Sequence, residues 1–162
     1  MSGVQHRSDA PIHLVFDFGA VVLQWRPAEV VARHFPEHCL TDAAARAFAG
    51  NVFASADWHA FDAGRVEPDV TAQRLAARLH LAIDRVQDMI ACIDDHLQPI
   101  ESTVALIEAL HLHRGPGSPT RLHFLSNMPR LYARGIEARH AFMRCMLIDN
   151  IQFILKLNQP VR

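Results

Sequence analysis

The sequence predicts an α/β domain with parallel strands and a helical segment inserted after the first of them. Residues 12–16 (IHLVF) and 122–125 (LHFL) are short, mostly apolar runs of buried-strand length. Each ends in polar residues, Asp17 in the first case and Ser126-Asn127 in the second. Between them, from Thr41 to His96, the chain is helical in character. Strand, helical insert, helix, strand and helix in that order imply parallel strands, with right-handed connections expected.

Local sequence justifies each element in turn. After Phe16, Asp17 and Gly19 mark a sharp turn. Pro27 suits the first turn of a helix that residues 28–34 continue, with Val30, Val31 and Phe35 apolar, until Pro36 limits it. Thr41-Asp42 forms an N-cap before AAARAFA, and Gly64 with Pro68 punctuates a turn. The helix that follows has Val70, Leu75, Leu79 and Leu81 as its apolar residues and Gln73, Arg74 and Arg78 as its wet face. Residues 84–97 read as one further helix, with Val86, Met89, Ile90 and Ile93 at helical spacing. Pro99 breaks the pattern. Residues 102–112 form an Ala/Leu/Ile helix with His111 and His113 at its wet end, and RGPGSP at 114–119 is the clearest loop. Pro129 leads from the second strand into a helix over residues 131–142.

With 162 residues, 50% hydrophobic and 20% charged, the chain has the makeup of one globular domain and not of a disordered or fibrous one. Lys+Arg number 16 against 17 Asp+Glu, and the arginines are scattered, so no basic stripe is offered to nucleic acid. Cys39, Cys92 and Cys145 are odd in number and far apart, which fits neither a disulfide framework nor a clustered zinc site and points to a reducing cytoplasm. No apolar run approaches the roughly 20 residues of a membrane span, and the first ten residues are polar, without a signal-peptide hydrophobic region. Alanine stops at Ala141, while the only lysine is Lys156. Residues 142–162 therefore form an atypical tail, read either as a C-terminal strand with a frayed end or as a foreign, out-of-frame extension.

One constellation carries chemistry. The C-terminal edge of a parallel sheet is where α/β proteins place ligands, and both strands deliver polar residues there: Asp17, and Ser126 with Asn127. A carboxylate at such an edge can act as a nucleophile and form a covalent aspartyl intermediate. Charge repulsion then calls for a cation, normally Mg²⁺ held by one or two carboxylates and the substrate phosphate. A serine hydroxyl and backbone N–H groups can hold the transferring oxygens. Taken alone, an Asp before Gly at a strand end is a turn, and Ser126-Asn127 equally suits a helix N-cap. Trp25, Trp58 and Phe61 read as packing rather than as a substrate pocket, and Asp94-Asp95 as a solvated helix end.

These residues resemble the haloacid dehalogenase-like hydrolase superfamily, in its branch with a helical cap after the first strand. VFDFGAVVLQW (residues 15–25) looks like the family's first motif and LHFLSNM (122–128) like its second, with QPIESTVALIEAL (98–110) similar to the helix between them. WHAFDAGRVEPDVTAQRLA (58–76) is similar to the cap helices of sugar-phosphatase-like members. The resemblance implies an incomplete, parallel Rossmann-like core formed by residues 1–24 and 100–162, lacking later strands, and a helical cap over 25–99. It further implies a hydrolase of small phosphorylated metabolites with Asp17 as nucleophile and metal ligand. The Gly19 backbone carbonyl would be a second ligand to Mg²⁺, and Ser126 with Asn127 would bind the phosphoryl group.

Three departures stand against full activity. Gly19 occupies the position of the family's usual second Asp, the general acid/base. No lysine followed by proline comes after the second motif, since Lys156 precedes Leu157. The acidic motif that completes the metal site is missing, and Leu147-Ile148-Asp149-Asn150 resembles it only superficially. The expectation is a weakly active or inactive, C-terminally truncated relative. The alternatives are a catalytically dead remnant, an interaction module, or a hydrolase of carbon–halogen bonds. Missing strands would leave a hydrophobic sheet edge open to self-association.

Overall fold

The computed structural model describes residues 12–113 and 118–140. Two strands, β1 (Ile12–Asp17) and β2 (Thr120–Leu125), pair in parallel, with Ile12 opposite Thr120 and Asp17 opposite Leu125. The chain is thus mixed α/β, and the register brings the C-terminal ends of both strands to one level. Leu14, Phe16, Leu122 and Phe124 share one sheet face; the last two are buried, and Phe16 stacks on Phe124 with ring centroids 5.8 Å apart.

Helices fill the space between the strands. Pro27 starts α1 (Pro27–His34), which buries Val30 and Val31 and ends before a 3₁₀ turn at Pro36–His38. The Thr41 hydroxyl accepts from the Ala44 amide at 3.1 Å, capping α2 (Asp42–Phe53) as the sequence leads one to expect. Ser55 caps α3 (Ala56–Asp62) in the same way through the Trp58 amide, at 3.2 Å. Pro68 opens α4 (Pro68–Leu79). The buried stripe of α4 is Thr71, Ala72, Leu75 and Ala76, whereas Val70, expected on the apolar side, is exposed. Thr71 tolerates burial because its hydroxyl donates to the Glu67 carbonyl at 3.0 Å.

The single helix expected over residues 84–97 is two: α5 (Ile83–Ala91) and α6 (Ile93–His96). In an unbroken helix the Ile90 carbonyl would accept from the Asp94 amide. Here it accepts instead from the Tyr132 hydroxyl at 2.8 Å, so a side chain from elsewhere satisfies the group that the break releases. The last helices are α7 (Glu101–His113) and α8 (Arg130–Arg139). Asp94 and Asp95 tie α6 to α8 through ion pairs with Arg139 at 3.0 and 2.9 Å.

The helical stretch leaves and rejoins the strand-bearing part at one place. The Gln24 amide donates to the Gln98 carbonyl at 2.7 Å, and the Ile100 amide to the Val22 carbonyl at 2.8 Å. Leu23 and Pro99 accordingly form an antiparallel bridge. Buried side chains form one cluster through both parts, from Val30, Leu75 and Met89 through Val22 and Leu23 to Phe124, Tyr132 and Ile136. No helix among the described residues is long and apolar enough to cross a membrane. Cys39 and Cys92 are free thiols, while Cys145, Asp149 and Lys156 lie outside the described residues.

Candidate functional site

The parallel register sets Asp17 level with Leu125, so the C-terminal ends of both strands open onto the same space. Asp17 and Gly19 from the first strand end, and Ser126 and Asn127 from the second, line one cavity of about 460 Å³. Asp17 and Asn127 are exposed, whereas Ser126 is buried.

The backbone after Asp17 turns over residues 18–23. The amides of Val22 and Leu23 both donate to the Phe18 carbonyl, at 3.1 and 2.8 Å, and the Ala20 amide donates to the Leu23 carbonyl at 2.8 Å. The turn expected at Gly19 takes its left-handed conformation at Ala20, whose φ is +60°, a conformation that costs an L-residue roughly 1–2 kcal/mol. Buried Phe18, Val22 and Leu23 hold it in place. The bridge between Gly19 and Leu23 uses the Phe18 carbonyl and the Ala20 amide, and leaves the Gly19 carbonyl outside it. A Cβ on Gly19 would meet nothing within 4 Å, so space for a side chain exists where none is present.

The helical stretch closes the cavity from the other side with Trp25, Phe53 and Trp58. Trp25 meets Phe53 edge-on at 5.1 Å, and Phe53 meets Trp58 at 4.7 Å. Two of the aromatics expected as packing, Trp25 and Trp58, therefore also line the cavity; Phe61 is buried beside Trp58. Ser126 and Asn127 do not cap α8, because Pro129 occupies the N-cap and no side chain bonds there. They are left to face the cavity.

A second carboxylate stands in the same space. Asp62, the last residue of α3, lines the cavity and is half-buried. Burial pushes its carboxyl up to about 7, against the opposing effect of a hydrogen bond from the Trp58 side chain. Tyr132, also lining the cavity, has its hydroxyl pushed well above the usual range, chiefly by burial and then by Asp62 and Asp94. Sequence reasoning missed Asp62. The signal was present: Trp58, Phe61 and Asp62 fall at i, i+3 and i+4, on one helix face, so the carboxylate sits on the apolar side.

Among the described residues, no group of three His, Cys, Asp or Glu side chains converges as a metal site. Mg²⁺ needs fewer protein ligands, since it keeps several waters and takes substrate phosphate together with one or two carboxylates. The donor set of Asp17 and the Gly19 carbonyl suits that smaller demand. The described cavity lining contains no Lys or Arg. No family model, curated protein or solved structure matches the chain.

Proposed function

We propose that the chain is a hydrolase of small phosphate monoesters that uses Asp17 as its nucleophile, on the pattern of the haloacid dehalogenase-like enzymes it resembles. The supporting observation is the convergence of Asp17 and Ser126 from two parallel strand ends on one cavity. In this reading residues 1–24 and 100–162 are a partial Rossmann-like core and residues 25–99 its helical cap, joined at the paired crossings of Val22–Gln24 and Gln98–Ile100. Asp17 attacks phosphorus, Ser126 and Asn127 donate hydrogen bonds to the phosphoryl oxygens, and the aromatic wall receives the rest of the substrate. Mg²⁺, held by Asp17 and the Gly19 carbonyl, would neutralise the charge brought together there.

The lack of Lys or Arg in the described lining supports a second reading, in which the site binds a phosphoryl group without turning it over. Removal of one donor to a developing oxyanion commonly costs about 10²–10³-fold in rate, and a cationic side chain is the donor that the described lining lacks. A thermal melt of the full chain with Mg²⁺ and beryllofluoride, for the native chain and Asp17→Asn, tests the site. A ligand that binds only the folded state raises Tm, so the expected result is a rise that Asp17→Asn abolishes. No rise, or an equal rise in both proteins, overturns the assignment. An Asp17-dependent rise without turnover on a panel of phosphate monoesters selects the second reading.

A further inference from the structure

Departure of an alcohol from phosphorus leaves an alkoxide that needs a proton, and Gly19 carries no side chain to supply one. We propose that Asp62 is the catalytic acid and base of this site, acting on phosphate monoesters of uncharged, ring-bearing alcohols. This deepens the hydrolase reading and rests on it.

Geometry singles out Asp62. It lines the same cavity as Asp17 and Ser126 but arrives from α3 rather than from the strand ends. The two carboxylates sit in unequal surroundings: Asp17 is exposed, while Asp62 is half-buried beside Trp58 and Tyr132. Two carboxyl groups in one site whose environments separate them take different roles, the more buried keeping its proton. Its titration near neutrality agrees, with burial as the cause, because a proton carrier works best with a pKa near the operating pH. The neighbouring candidates are less suited. The Tyr132 hydroxyl is committed to the Ile90 carbonyl, and His59, though it lines the cavity, is exposed.

The steps balance. The Asp17 carboxylate forms an oxygen–phosphorus bond as the bond from phosphorus to the alcohol oxygen breaks; the electron pair stays on that oxygen, which takes the proton of Asp62. The Asp62 carboxylate then accepts a proton from the water that attacks the phosphorylated Asp17. Inorganic phosphate leaves, Asp17 regains its carboxylate, and Asp62 regains its proton. The substrate class follows from the wall beside Asp62. Trp25, Phe53 and Trp58 present ring surface, and the described lining has no Lys or Arg to receive a charged alcohol.

The test is single-turnover release of alcohol by the full chain with Mg²⁺ from two ring-bearing esters, p-nitrophenyl phosphate and benzyl phosphate. The first leaving group departs without a proton, and the second requires one. Asp62→Asn keeps the shape of the side chain and an oxygen for the Trp58 hydrogen bond. It should slow benzyl alcohol release by about 10²–10⁴-fold while changing p-nitrophenolate release by less than about threefold. Equal losses on both esters, or none on either, overturn the assignment of Asp62 and leave the nucleophile intact. Absence of release that depends on Asp17 overturns the hydrolase reading and this inference with it.

Discussion

Asp62 makes stability depend on pH in a direction opposite to that of most carboxylates. In the unfolded chain an Asp titrates near 3.9, whereas in the folded protein burial holds Asp62 up to about 7. Between these values the native state keeps a proton that the unfolded state has lost, so stability falls as pH rises through that window. Asp62→Asn removes the liability. Its Tm should exceed that of the native chain above about pH 7, and the fall in Tm between about pH 4 and 7 should flatten, which calorimetry at stepped pH checks. Glu37 works the other way, because the Arg85 guanidinium holds it down to about 2. Its contribution is present above the unfolded value and is lost as pH falls towards 2, so its window adjoins that of Asp62 on the acid side. The side chains that local sequence determines were legible: Asp17 at a strand end, Thr41 as a cap, and Pro27 as a helix start. Asp62 was harder to read because the cavity it lines also draws on the strand ends and on Tyr132 of α8, which only the fold brings together.

At the scale of elements, the break between α5 and α6 is accompanied by one hydrogen bond from outside the helix. Apolar spacing over residues 84–97 favours an unbroken helix, and no proline or glycine interrupts it. What the spacing does not contain is the buried Tyr132 of α8, whose hydroxyl takes the Ile90 carbonyl at 2.8 Å. Tyr132→Phe leaves that carbonyl without its partner and should destabilise the fold by about 1–3 kcal/mol, measured by denaturant unfolding. The same geometry explains why Asp94 and Asp95 are more than a solvated helix end. The short α6 turns both towards Arg139, and the side chain of Asp94 is only 20% exposed. Val70 gave the other misreading. Its apolar character suggested the inner face of α4, but the helix is phased so that Thr71, Ala72 and Leu75 point inward.

For the molecule as a whole, the pairing of the two strands was legible because both are short apolar runs separated by helices, and parallel pairing requires such a crossover. What surrounds them is not contained in so local a pattern. Among the described residues the sheet has only β1 and β2, so the outer edge of each lacks a strand partner. Val15 on β1 is 59% exposed. Such an edge is a template for pairing with another chain, and an added lysine blunts it. The full chain should therefore associate with rising concentration in light scattering coupled to size exclusion, and Val15→Lys should shift it towards monomer. A native chain that stays monomeric at every concentration refutes the edge as a contact.

The bridge between Leu23 and Pro99 has a consequence for how such a molecule can change over generations. Everything from α1 to α6 enters and leaves through residues that already touch, yet it shares one buried cluster with the strand-bearing part and holds α8 through Ile90, Asp94 and Asp95. Its entry point is no surface turn, since Val22 and Leu23 are fully buried, and tolerance to exchange follows the burial and hydrogen bonding of the affected backbone. Change in this segment is therefore freest at its exposed positions, which leave undisturbed both that core and the register that sets Asp17 level with Leu125. The half of the cavity that would meet the phosphoryl group, fixed in the sheet, and the half that would choose the alcohol, carried on the inserted helices, are thus bound to change together wherever they share that core.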